Sequence, residues 1–373
     1  MVITINTVSL GYNENQERFI LDFFLYLARS SPNDSFNFLI DAHKNIPGSV
    51  ANTNFIILNP TSKPNVFSWF SFQMKLAALI KKNKTDILIS PYIISKLLIK
   101  IPQIQWLPHL AFGVNDITLE KKEKLFFKKY IIPSIKTADG FFTSSIIWKD
   151  LLQQSFSIAD KKIQIINNIY SINNSSIEVD VQNIKNIFFD NCEYFLVDDD
   201  SINSKSFIFI LKSFSLFKKR LKSTMKLAFN VPLELKNEFS VLINAYKYRS
   251  DIIFIESNNP NDIAKYFAAS YAVIVNQYYT GFLTSTIQAL VSKTAILAVK
   301  SPYNMAGSLA VYNPFYFEKE NINELSDCMI KIYKDENGRK ERINDQVSIA
   351  ANINPITMVT DAKNLIHMIY SNK

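Results

Sequence analysis

The chain has 373 residues, 48% of them hydrophobic and 20% charged. This is the composition of a folded globular protein, long enough for two domains of about 100–200 residues each, and it excludes a disordered chain. The net charge of +8 is spread over both halves, against nucleic-acid binding, and 2 cysteines and 3 histidines without metal-ligand spacing argue against a disulfide framework or a zinc centre.

In chain order, residues 2–8 read as a strand, and 16–29 as a helix with Phe19, Ile20, Phe23, Phe24 and Leu27 on one face. Strands at 36–40 and 54–58 are followed by a helix at 67–82. Strands at 86–90 and 104–107 precede a basic amphipathic helix over 119–137. A strand at 140–144, a helix at 146–155 and a strand at 162–166 complete the first series. The polar stretch 167–176 is the best linker in the chain.

The pattern then restarts. Strands are expected at 193–197, 225–229, 251–255, 271–275 and 294–299. Helices are expected at 205–221, 233–248, 260–269, 284–291, 322–334, 339–350 and 355–370. Strands alternating with helices imply parallel sheets covered on both faces, hence an α/β chain of two doubly wound domains. The expected boundaries are 1–170, 171–352 and a C-terminal helix over 353–373 that can cross back to the first domain. Ligands of such sheets sit at the carboxyl ends of the strands.

Only 7 glycines are present, where roughly 7% usage would give about 26. None are spaced as G-x-G-x-x-G or as a P-loop, so both phosphate-binding fingerprints are excluded. The N-terminus lacks a basic segment followed by an apolar one, and polar residues interrupt the longest uncharged stretch, 266–292. A cytoplasmic protein is the expectation. Lysines cluster at Lys121, Lys122, Lys124, Lys128, Lys129 and Lys136, and with Arg220 at Lys218, Lys219 and Lys222. These read as solvated helix faces, with contact between the Lys121–Lys136 face and an anionic inner-membrane surface as the alternative.

Several segments together resemble a family. Tyr194-Phe195-Leu196-Val197, Ser204-Lys205-Ser206-Phe207 and Asp251-Ile252-Ile253-Phe254 come first in the second half. Residues 263–272, then Thr280-Gly281-Phe282-Leu283, Gln288-Ala289-Leu290 and Thr294-Ala295-Ile296-Leu297-Ala298 follow in order. Upstream lie His109-Leu110-Ala111-Phe112 and residues 137–145. In order and spacing these resemble the retaining, nucleotide-sugar-dependent "group 1" glycosyltransferases of GT-B architecture. That architecture has two Rossmann-like domains facing a central cleft.

The resemblance implies transfer of a hexose from a nucleotide sugar to a saccharide or lipid-linked acceptor in cell-surface polysaccharide biosynthesis. No cofactor and no obligatory metal are implied. Lys205 would neutralise the donor diphosphate, as a flexible point charge can. Thr280, Gly281, Phe282 and Leu283 would form the loop before a helix whose first N–H groups, capped by Thr284 or Ser285, hold the phosphates. Gln288 would bond the ribose, and His109 would face the acceptor as the catalytic-side residue. The family's paired glutamates fall on Thr280 and Gln288, and its N-terminal glycine-rich loop on Asn13–Arg18. These departures give the alternative reading: an inactive GT-B scaffold that partners a transferase or binds sugar. Asp198-Asp199-Asp200 after a strand leaves a third option open, the metal-holding acidic turn of the other transferase architecture, GT-A.

Overall fold

The structure is a computed structural model. It describes residues 1–8, 14–40, 50–58, 66–91, 93–94, 96, 98–107, 132–144, 146–166, 180–199, 202–255, 260–277, 284–301, 314–350 and 355–372. The chain divides into two compact units, Met1–Tyr170 with Asn354–Lys373, and Ser171–Ile353.

In the first unit, strands β1 (Val2–Asn6), β2 (Ser35–Ile40), β3 (Thr53–Ile57), β4 (Ile87–Ser90), β5 (Gln103–Leu107), β6 (Gly140–Thr143) and β7 (Ile163–Ile165) form one sheet. Its order is β3-β2-β1-β4-β5-β6-β7 and every pairing is parallel. The helices are α1 (Glu14–Arg29), α2 (Val66–Lys82), the single turn α3 (Ile132–Ile135) and α4 (Ile146–Phe156). Burial on both faces explains why β4 and β5 are fully buried runs rather than alternating ones.

The second unit holds α5 (Val181–Phe188), β8 (Tyr194–Asp198), α6 (Ser204–Leu221), β9 (Lys226–Asn230), α7 (Leu233–Ile243), β10 (Ile252–Ile255) and α8 (Pro260–Ala269). It continues with β11 (Ala272–Val275), α9 (Thr284–Val291), β12 (Ala295–Lys300), β13 (Phe315–Glu318), α10 (Ile322–Lys334) and α11 (Glu336–Ala350). The sheet is parallel, in order β10-β9-β8-β11-β12-β13. This is the Rossmann order, with strand direction of travel reversing between β8 and β11.

Strand alternation builds two cores in this unit. Phe195, Val197, Leu227, Phe229, Ile274 and Leu297 face one side, under α6 and α10. Tyr194, Leu196, Ala228, Val273 and Ile296 face the other, with Phe267 of α8 and Ile287 and Leu290 of α9. Both faces are therefore sealed, and the strand ends are left as the places where ligands can approach.

The last helix, α12 (Pro355–Ser371), packs on β6 and β7 of the first unit. Gly140 opens β6 beneath it, and a Cβ there would collide with Ile369 Cδ1. A side-chain-free residue lets the helix lie directly on the strand.

Three expectations are corrected. The helix expected over 233–248 ends at Ile243, because Tyr246 turns into α6, where its hydroxyl lies 2.9 Å from both Ser215 Oγ and the Leu211 carbonyl. Helix α5 and strand β13 were not anticipated from the sequence. Helix α5 is opened by Asp180, whose carboxylate accepts from Asn183 N at 3.0 Å. Of the Lys218 cluster, Lys218 itself is buried rather than solvated: its ammonium lies 2.9 Å from Asp251 and donates to the carbonyls of Ser223 and Met225. The linker 167–176 and, of the basic helix, residues 119–131 lie outside the described residues. Lys136 is exposed after α3. Among the described residues no helix is long and apolar enough to cross a membrane.

Candidate functional site

The crevice of a doubly wound sheet lies where neighbouring strands send their connections to opposite faces. In the second unit that place is the carboxyl end of β8 and β11. From β8 the chain runs to α6. From β11 it runs through residues 278–283, outside the described residues, to the N-terminus of α9. The first N–H groups of an α-helix have no partner within the helix and carry the positive end of its dipole.

Asp198 closes β8 and is half-buried. Its two carboxylate oxygens are both engaged: Oδ2 lies 2.6 Å from Ser285 Oγ, and Oδ1 accepts from Asn230 Nδ2 at 2.7 Å. Ser285 Oγ also lies 2.9 Å from the Asp198 carbonyl. One carboxylate thus ties the ends of β8 and β9 to the first turn of α9. An anion placed beside a helix N-terminus is favourable, and Asp198 supplies one from within the chain.

Asp198, Asn230 and Ser285 form a constellation that sequence reasoning missed. The available signals were a polar residue at the end of each strand and a serine in a helix's first turn. Nothing along the chain joins them. Of the acidic turn of the GT-A option, Asp198 is engaged by these two side chains and Asp199 is buried. Asp200 lies outside the described residues. Among the described residues no three histidine, cysteine or carboxylate side chains are grouped to hold a metal ion.

Lys205 sits in the first turn of α6. Asn203 caps that helix, its Oδ1 accepting from Lys205 N and Ser206 N at 3.0 Å each. The Lys205 side chain is 75% exposed and its ammonium pairs with Glu320 at 2.8 Å. Glu320 follows β13 with a left-handed backbone, φ 60°. An exposed pair of this kind contributes about 0–1 kcal/mol, so it is a weak tether and not a lock. Gln288 lies half-buried on α9, with Nε2 donating to Ser292 Oγ at 3.1 Å. Thr284 begins α9. Thr280, Gly281, Phe282, Leu283 and His109 lie outside the described residues, as do Asn13 and the rest of its loop up to the start of α1.

A second polar cluster ties α11 to the base of β11. Arg339 packs 4.4 Å over the Tyr271 ring and pairs with Glu336 at 2.8 Å. Arg339's hydrogen bonds hold the Glu336 carboxyl down at about 2. Burial pushes the Tyr271 phenol up, as does the adjacent Glu336 carboxylate, 2.9 Å from its hydroxyl. With both groups fixed in one protonation state near neutrality, this cluster braces the fold.

Residues 199–347 match the family of glycosyl transferases group 1. The resemblance read from the sequence is borne out over that span, which begins beside Asp198 and takes in Lys205, α9 and most of α11. No curated protein matches the chain. Among solved structures, sucrose-phosphate synthase from Thermosynechococcus elongatus is similar over 100% of both chains, at 12% identity and a TM-score of 0.77. WaaG, a glycosyltransferase involved in lipopolysaccharide biosynthesis, matches over 98% of this chain and 99% of its own, at 12% identity and 0.74. HepE from Anabaena, solved in complex with UDP and glucose, matches over 98% and 99%, at 11% identity and 0.72. At these identities the likeness establishes the fold: the two Rossmann-like domains of GT-B.

Proposed function

We propose that this chain, a match to glycosyl transferases group 1 across its second unit, transfers a hexose from a nucleotide sugar to a saccharide or lipid-linked acceptor, with retention, in cell-surface polysaccharide biosynthesis. The observation that carries the reading is the family match itself, which spans the crevice of the second sheet with the start of α9 and Lys205 in the first turn of α6. A donor diphosphate is a good leaving group only if its growing charge is neutralised as the glycosidic bond breaks. The first N–H groups of α9 supply that at no reorganisation, and Lys205 adds a unit charge once it leaves Glu320. Gln288 bonds a ribose hydroxyl without charge assistance, more weakly than a carboxylate would. No step is assigned to a metal. His109 is proposed on the acceptor side, and the Lys121–Lys136 face as a peripheral contact with anionic lipid.

A second reading has its own support. Asp198 already places a carboxylate beside the first turn of α9, and Lys205 already has a carboxylate partner. Both features suit a scaffold that keeps the fold and binds sugar or a partner transferase without turnover.

The test is a donor panel. UDP-, GDP- and ADP-sugars are titrated into the full chain and into Lys205→Ala by calorimetry, and sugar release is followed by mass spectrometry. Binding of one donor, weakened in Lys205→Ala and accompanied by sugar transfer or slow hydrolysis, supports the enzyme. Binding without turnover supports the scaffold. Failure of every nucleotide to bind a folded chain refutes the transferase.

A further inference from the structure

The carboxyl ends of the strands are where doubly wound sheets bind ligands, yet the first unit carries a cavity at the opposite edge. It lies against the N-terminal starts of three adjacent strands: Ile101 and Pro102 precede β5, Asp139 precedes β6, and Lys161 and Lys162 precede β7. The last turn of α12 completes the wall with Met368, Ile369 and Asn372. Its volume is about 540 Å³, within the range of small-molecule sites.

Among the described residues that line it are four lysines, Lys96, Lys100, Lys161 and Lys162, and one carboxylate, Asp139. Asp139 is already committed, to Lys96 at 2.8 Å and to Gln103 N at 2.9 Å. Among the described residues, Lys100, Lys161 and Lys162 have no carboxylate partner. The neighbouring Asp160 is drawn away, pairing with Lys149 at 2.8 Å. Like charges without a carboxylate partner among the described residues, gathered in one concavity, repel each other and raise the local concentration of anions. The carbonyl end of α12 carries partial negative charge, but Asn372 Nδ2 donates to Met368 O at 2.8 Å and blunts it. The same wall carries apolar residues, of which Pro102 and Ile369 are buried.

We propose that this cavity is a second binding site, which takes an organic phosphate or diphosphate. The lysines hold the phosphate as adaptable point charges, and Ile101, Pro102, Met368 and Ile369 receive the organic part. The site is independent of the donor crevice of the second unit. The phosphate can belong to a soluble metabolite or to a lipid headgroup, and the experiment separates these sources.

The full chain, labelled at its methionine methyl groups, is titrated at low salt with inorganic pyrophosphate. The Met368 resonance, assigned through Met368→Leu, is followed by NMR. The expected result is a saturable Met368 shift that is retained in Lys205→Ala and weakened about tenfold or more in Lys161→Glu/Lys162→Glu, as loss of charge-assisted bonds requires. The other methionine resonances report whether that variant is folded, and Lys100→Gln provides a milder second variant with a smaller loss. UDP-glucose binding is expected to be the same in all three cavity-side proteins, so failure of the donor reading is seen separately. In parallel, the chain is sedimented with phosphatidylcholine vesicles with and without phosphatidylglycerol. Sedimentation that needs phosphatidylglycerol and is lost in Lys161→Glu/Lys162→Glu assigns the phosphate to a headgroup. Sedimentation equal in wild type and variant, with the Met368 shift intact, assigns it to a soluble ligand. A Met368 signal that ignores both pyrophosphate and anionic vesicles, or shifts equally in the charge-reversed variant, overturns the proposal.

Discussion

Replacing Asp198 with alanine tests the geometry of the switch point. The substitution removes the acceptor of two side-chain bonds, from Ser285 at 2.6 Å and from Asn230 at 2.7 Å. Hydrogen bonds to a charged group contribute roughly 1.5–3 kcal/mol each, and an anion at a helix N-terminus about 0.3–1 kcal/mol. Two effects reduce the sum: Asp198 is only half-buried, and the Ser285 hydroxyl keeps an acceptor in the Asp198 carbonyl at 2.9 Å. The expected loss is therefore about 2–3 kcal/mol, or about 4–12 °C in the melting temperature of a unit of this size. Calorimetry and urea unfolding of wild type, Asp198→Ala, Ser285→Ala and the double variant measure it. Residues that share a bond are non-additive, so the cycle is expected to show a coupling of about 1 kcal/mol or more. Unchanged stability in Asp198→Ala, or additivity within about 0.5 kcal/mol, refutes the bridge between β8 and α9.

Other predictions rest on single side chains. Asp251→Ala strands the buried Lys218 ammonium and is expected to destabilise the second unit by about 2–3 kcal/mol, and Lys218→Met, which leaves Asp251 and the carbonyls of Ser223 and Met225 without their donor, by at least as much; urea unfolding of each reads this. Glu336 titrates at about 2 when folded, against an ordinary value of 4.5, so its contribution is present above about pH 4.5 and is lost as pH falls toward 2. Glu336 is 43% exposed, which limits that contribution to about 1 kcal/mol; Glu336→Gln is expected to flatten the stability profile in this window. Gly140→Ala crowds Ile369 and is expected to lower stability by about 1 kcal/mol, with Ile369→Val restoring most of it in thermal melts.

Most of the fold was legible because the strands are short, apolar and bounded by polar residues, as in Ile87–Ser90 and Ala272–Val275, and because the helices between them carry one apolar face. What escaped notice was short or was decided at a distance. Helix α5 is 8 residues, and β13 is recognisable only through its pairing with β12, Leu297 beside Phe315. The end of α7 is decided by Tyr246 reaching α6, which no local period encodes. Lys218 shares a basic cluster with solvated neighbours, but its position on α6 turns it inward against Asp251, which is distant in sequence.

The candidate site was legible in the same partial way. Lys205, Gln288 and the start of α9 could be placed from motif order. The Asp198–Ser285 contact spans 87 residues and belongs to the tertiary structure alone. At the end of β8 the chain carries a carboxylate that the structure uses internally.

The central claim is that the second unit binds a nucleotide sugar at the α9 crevice with help from Lys205. Calorimetric titration of UDP-glucose into wild type and Lys205→Ala measures it most directly, since Lys205 is 75% exposed and its loss leaves the fold intact. The account predicts saturable binding to the wild type, weakened about tenfold in Lys205→Ala with an unchanged melting temperature. Equal affinity in the two proteins would contradict it.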